Sequence, residues 1–90
     1  MRYEWDELKR AKNITPHGVD FAQVDRFDWA TSLTVADERF GEDRYSALGL
    51  IDRRLYFLAY TIRRKATLRL ISMRKANSRE VRAYEDYRAN

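Results

Sequence analysis

The run Arg54–Arg63, RLYFLAYTIR, is apolar on both of the faces that an extended chain presents, the pattern of a strand covered from both sides. A segment of this kind needs neighbours, and the flanking sequence supplies them. The apolar run ATLRLISM follows across a short basic turn at Arg63–Lys65, and RYSALGLI precedes across a short turn at Asp52 and Arg53. Further upstream, LTVADERF alternates imperfectly from Leu33, and GED at Gly41–Asp43 marks a turn. Parallel neighbours would need crossovers of a dozen or more residues, so connections this short imply a four-stranded antiparallel meander. Simple alternation along the last strand places Leu68, Leu70, Ser72 and Arg74 on one face and Arg69, Ile71, Met73 and Lys75 on the other.

Helix signals bracket the strands. Asp6 can cap a short helix running to about Asn13, with Trp5, Leu8 and Ala11 on one side, and Pro16 and Gly18 ending any continuation. In GVDFAQVDRFDW, Asp20 and Gln23 have capping-box spacing, Val19 and Val24 form a hydrophobic staple, and Phe21, Val24 and Phe27 make a buried stripe. A last helix begins near Asn77 or Ser78, where Asn77 and Glu80 repeat the capping-box spacing and Val81, Tyr84 and Tyr87 or Arg88 face the sheet. The expected architecture is α+β: two short N-terminal helices, a four-stranded antiparallel sheet and a C-terminal helix in one domain spanning residues 1–90.

Composition narrows the function. At 44% apolar and 36% charged, the 90-residue chain is too apolar for a disordered protein and too charged for a membrane protein. No apolar run approaches the roughly 20 residues of a spanning helix, and the start MRYEWDELKR carries no apolar signal region, so a cytoplasmic protein is expected. Without Cys there is no disulfide, thiol nucleophile or thiolate metal site, and a single His excludes a multi-histidine metal site. No cofactor is expected. Met1–Ile62 holds nine Lys and Arg against eleven Asp and Glu, a balance of −2, whereas Arg63–Asn90 holds nine against three, a balance of +6. This asymmetry points to a polyanion or an acidic partner for the C-terminal third. The bland alternative is a solvated helix face together with an edge strand guarded by charge.

Candidate chemistry gathers in LISMRKANSREVRAY, Leu70–Tyr84. Arg69 lies inside an apolar strand, where a guanidinium is costly unless a carboxylate (Glu42, Glu38 or Asp37) or an incoming phosphate pairs with it. Arg74 and Lys75 at the strand end, with Arg79 in the first helical turn and the helix N-terminus itself, can converge on a phosphate at one rim. His17 sits in the turn before Gly18, either satisfied by nearby backbone or free to move a proton. No nucleophile elbow or phosphate loop is present, which leaves cation-assisted phosphoryl chemistry. Arg and Lys would stabilise the pentavalent state while His17, Glu42 or a Tyr moves a proton, and RNA would supply its own 2′-hydroxyl nucleophile.

The chain resembles the BrnT toxins of BrnT/BrnA type II toxin–antitoxin pairs, in the RelE/ParE-like ribonuclease toxin group. The likeness runs from EWDELKRAKN and HGVDF through GEDRYSALG to YTIRRKATLRLISMRKANSREVRAYE. Its most specific pieces are RLISMRKA followed by Arg79, Glu80 and Tyr84, together with His17-Gly18 and Glu42-x-Arg44. The resemblance implies a RelE/ParE-like fold and a metal-independent endoribonuclease that cleaves mRNA and halts translation. It also implies a BrnA-type ribbon-helix-helix antitoxin, operator DNA bound only through the toxin–antitoxin complex, and a toxin dimer within that complex as one arrangement. Carried onto this chain, the catalytic candidates are His17, Arg69, Arg74, Glu42 and Tyr84, and the RNA-binding candidates are Arg44, Lys75, Arg79 and Arg82. Pro16 stands where the family usually has Lys, and Phe40 where a second His is common, so the resemblance implies a weaker or differently arranged site. Two other functions compete with it: a non-catalytic toxin-like module that only binds, and a ParE-like inhibitor of a target enzyme.

Overall fold

A computed structural model describes residues 1–37, 43–64 and 66–90. Glu38, Phe40, Gly41, Glu42 and Lys65, all named above, lie outside the described residues. Five strands form one sheet: β1 (Arg2–Glu4), β2 (Leu33–Asp37), β3 (Arg44–Ile51), β4 (Arg54–Arg63) and β5 (Thr67–Lys75), in the spatial order β1-β5-β4-β3-β2. The antiparallel meander from β2 to β5 is as expected, with β4 at the centre. The expectation of four antiparallel strands needs correction, because β1 adds a fifth strand and pairs parallel to β5, making the sheet mixed. With only three residues, RYE, β1 is too short to show a period, and its partner lies at the other end of the chain.

Helix α1 spans Glu7–His17 with Asp6 as its N-cap and Gly18 as its left-handed C-cap (φ 65°), whose N–H donates to the Ile14 carbonyl at 2.7 Å. It therefore continues through Pro16, four residues past the expected end. Its expected apolar side is also corrected, since Leu8 and Ala11 are exposed and Asn13 is the buried residue. The Asp20–Gln23 capping box is present, but it opens a 3-10 helix, Phe21–Arg26, followed by a second one at Trp29–Thr31. The Asn77–Glu80 box opens α2, Ser78–Ala89.

The core lies on one face of the sheet. Leu58, Tyr60, Leu68, Leu70 and Met73 pack there against Val19, Phe21, Val24 and Phe27 from the segment after α1. Aromatic rings knit this layer together: Trp29 meets Phe27 at 4.6 Å and Tyr60 at 5.5 Å, and its Nε1 donates to the Tyr3 hydroxyl at 2.7 Å. Gly49 passes so close to the Phe27 ring that any Cβ would collide with it. The opposite face is covered only in part. Helix α2 closes one end of it, where Leu50, Leu55, Val81 and Tyr84 share a pocket wall.

One irregularity decides which side chains share a face. Ala59 pairs with Ser72 but Tyr60 pairs with Leu70, so Ile71 is an extra residue in β5, a β-bulge. Alternation is thereby broken, and the expected side-chain partition of β5 is corrected. Leu68, Leu70 and Met73 lie opposite Ile62, Tyr60 and Leu58 on the core face, while Arg69, Ser72 and Arg74 lie opposite Thr61, Ala59 and Phe57 on the open face.

Candidate functional site

Three rows of side chains cross the open face. The first runs through all five strands as Glu4, Arg69, Thr61, Arg44 and Asp37, each directly opposite the next. The second is built of small groups, Ser72, Ala59 and Ser46, ending at Val35. The third places Arg74 opposite Phe57, followed by Leu48 and Leu33. Rows on one face are two residues of strand rise apart, roughly 7 Å. Between the outer rows lies a pocket of about 340 Å³ lined by Arg44, Asp37, Ser46, Ala59, Phe57 and Ser72 among others.

Each arginine on β5 is held by a carboxylate. Arg69 donates through one Nη to Glu4 at 2.5 Å, so a partner comes from the unforeseen β1, while Glu38 and Glu42, two of the acids suggested by sequence, lie outside the described residues. Arg74 makes a bidentate pair with Glu80 at 2.8 and 2.9 Å, and its guanidinium also lies 4.4 Å over the Phe57 ring. Glu80 simultaneously accepts from the Asn77 N–H, closing the capping box and clamping the end of β5 to the start of α2. The guanidinium of Arg74 holds the Glu80 carboxyl below its ordinary range, and Glu80 in turn pushes Arg74 up.

The remaining candidates divide between the two rims and the interior. Lys75, opposite Tyr56, ends β5; Arg79 and Arg82 are exposed on α2. Tyr84 is buried, and its hydroxyl donates to the Thr31 carbonyl at 3.1 Å, tying α2 to the second 3-10 helix. His17 is exposed in the last turn of α1, four residues or roughly 6 Å of helix rise beyond Asn13. Asn13 itself is fixed to the outer edge of β5, because its amide donates to the Met73 carbonyl at 2.7 Å and accepts from the Met73 N–H at 3.5 Å. The geometry thus unites Arg44, Arg69 and Arg74 on one face and leaves His17 exposed on α1, about one turn past the Asn13 that meets the β5 edge. It sets Tyr84 apart, beneath α2. Glu42 lies outside the described residues. Among the described residues, no group of three His, Cys, Asp or Glu could hold a metal ion.

Sequence reading passed over Glu4, Phe57, Ser46 and Ser72. Once pairing is known, the signal of the two serines is plain, since Ser46, Ala59 and Ser72 align across three central strands where β-branched and aromatic residues prevail.

The fold and the site together define a class: a small α+β protein with a mixed five-stranded sheet whose open face carries three guanidiniums, an aromatic ring and hydroxyls. The family described as "Ribonuclease toxin, BrnT, of type II toxin-antitoxin system" matches residues 5–80, and the chain belongs to this BrnT family. Its fold agrees with the crystal structure of the Brucella abortus ribonuclease toxin, BrnT, at a TM-score of 0.72 and 30% identity over 87% of this chain and 99% of that one. No curated protein matches the chain. Ribonuclease activity is accordingly the family's activity, and an antitoxin is the partner such a system implies. No helix among the described residues is long and apolar enough to cross a membrane.

Proposed function

We propose that this chain is a metal-independent endoribonuclease that cleaves mRNA to stop translation and is neutralised by a BrnA-type ribbon-helix-helix antitoxin, the pair together repressing its operon. The observation that carries the reading is the shared open face of Arg44, Arg69 and Arg74. In the reaction, the RNA 2′-hydroxyl loses its proton and attacks the adjacent phosphorus, and the 5′-oxygen leaves with a proton, giving a 2′,3′-cyclic phosphate and a 5′-hydroxyl. Arg69 is the group to bind the phosphate. Glu4 uses one of its Nη atoms and orients the fork, while its remaining N–H groups stay available to charge developing on the phosphoryl oxygens. Arg74 spends both Nη atoms on Glu80, which makes it a supporting cation. Lys75, Arg79 and Arg82 gather the RNA backbone at the rim, and His17 moves a proton.

Cleavage of a mixed RNA by purified protein tests this, together with growth on induced expression. Arg69→Lys keeps the charge but loses the planar fork, and should lower the rate by about 10² to 10³, the range for a donor acting mainly in the transition state. Arg74→Lys should lower it as well, His17→Gln should remove the proton-moving contribution, and a chelator should change nothing. Full toxicity of both arginine variants would leave those residues structural. Coexpression of a neighbouring ribbon-helix-helix protein should restore growth.

A further inference from the structure

We infer that the pocket between the arginine row and Phe57 is a nucleobase subsite, in which one unstacked base of single-stranded RNA lies against the Phe57 ring. The inference rests on the reading of this face as the RNA-binding side of the ribonuclease. Arg74 lies over the Phe57 ring at 4.4 Å without lining the pocket, whereas Phe57 itself lines it, so the ring is shared between the cation and the pocket. A cation on one face of an aromatic ring withdraws electron density and strengthens stacking of an electron-rich base on the other. Glu80, holding both Nη atoms of Arg74, keeps the guanidinium in place over the ring. In this arrangement Arg74 is a positioning residue for the base.

The floor is built of small side chains. Ser46, Ala59 and Ser72 sit side by side on β3, β4 and β5, and larger side chains at any of these positions would fill the slot. The volume, about 340 Å³, suits a single nucleotide rather than a helix or a strand of another protein. A Ser hydroxyl both donates and accepts, so the two serines can meet the edge of any base, and the subsite should favour stacking over strict base choice. The pocket also stands one row from Arg69. That step of roughly 7 Å along the strands is comparable with the reach from a base to its own phosphate, so a base in the pocket would set a phosphate on the arginine row.

The test uses tetranucleotides with 2′-O-methyl riboses, which cannot be cleaved, each with one base or with that base removed, titrated by fluorescence anisotropy against the purified protein. For the wild type, removing the base at one position should weaken binding about tenfold, within the range of aromatic stacking per base. The penalty should vanish in Phe57→Leu, persist in Phe57→Tyr, and vanish again in Ser72→Val, which fills the floor without touching the ring. Equal affinity for intact and abasic strands overturns the subsite and leaves a face that reads phosphate alone. Retention of the penalty in both Phe57→Leu and Ser72→Val places the stacking elsewhere and overturns it equally. Natural RNA incubated in parallel separates the two readings: base-dependent binding without cleavage refutes the ribonuclease and keeps the subsite, and cleavage without base dependence does the reverse. Failure of every strand to bind refutes both.

Discussion

Asn13 does the work of a missing strand. β1 pairs only with Thr67–Arg69 of β5, and beyond that point the outer N–H and C=O of Met73 would face away from the sheet unsatisfied. The Asn13 carboxamide answers both, and its Nδ2 donates a further bond to the Val19 carbonyl at 3.0 Å, so one side chain ties α1, β5 and the first core residue after the helix. Asn13→Ala should therefore leave buried backbone groups unpaired and destabilise the fold by about 1 to 3 kcal/mol, measured by urea unfolding at unchanged slope. A loss under about 0.5 kcal/mol would mean that water replaces the amide. None of this is legible in sequence, where Asn13 sits at the end of an apparently amphipathic helix. Arg69 was legible only halfway: its need for a carboxylate followed from its place inside an apolar strand, but Glu4 could be named only by knowing that β1 exists. For Arg74 the capping-box role of Glu80 was legible, but its bidentate pairing with an arginine six residues upstream was not.

Both capping boxes and the strand order from β2 to β5 follow from local chemistry, and they were legible for that reason, whereas the run of α1 through Pro16 to its stop at Gly18 was not. The bulge at Ile71 was not, because an extra residue in a strand leaves the same run of apolar letters and only the pairing partner reveals it. Its consequence is large, for without it Arg69 and Arg74 would point to opposite faces. At the first box, Asp20 combines two duties: it accepts from the Ala22 N–H at 3.0 Å and pairs with Arg10 through both oxygens at 2.7 and 2.8 Å. Hydrogen bonding from Arg10, then from the Ala22 N–H, lowers its carboxyl from 3.8 to about 2. A folded-state value below the unfolded one means that the contribution is fully present above about 3.8 and is lost as pH falls toward about 2. Asp20→Ala should cost about 1 kcal/mol of stability at neutral pH. Asp20→Asn should keep the cap and flatten the acid limb of the stability profile between those two values, read from thermal midpoints. An unchanged acid limb in Asp20→Asn would show that the pair with Arg10 contributes nothing in solution.

Across the whole molecule, the charge asymmetry gains a place. The basic C-terminal third forms β5 and α2, and β5 is an interior strand flanked by β4 and β1, with Asn13 of α1 on the rest of its edge. Its cations are therefore not guards on an exposed edge, which removes one half of the bland reading. Arg69 and Arg74 instead join Arg44, from the acidic part of the chain, on the half-exposed face, while Lys75, Arg79 and Arg82 extend the positive surface around the rim. Glu4 holds Arg69 through one Nη only, and such a pair near the surface is worth only about 0 to 1 kcal/mol, so a phosphodiester can compete for Arg69 at little cost. If RNA makes about three phosphate contacts on this surface, the logarithm of its affinity should fall against the logarithm of salt with a slope near −2, at roughly −0.7 per contact on a single strand. Arg69→Ala should then lower the slope by about 0.7, because it deletes one contact, whereas Phe57→Leu should weaken binding at every salt concentration and leave the slope alone. A flat titration of the wild type would show that the face attracts no polyanion. A slope that Phe57→Leu changes as much as Arg69→Ala does would mean that the ring orders the arginine row instead of meeting the RNA itself.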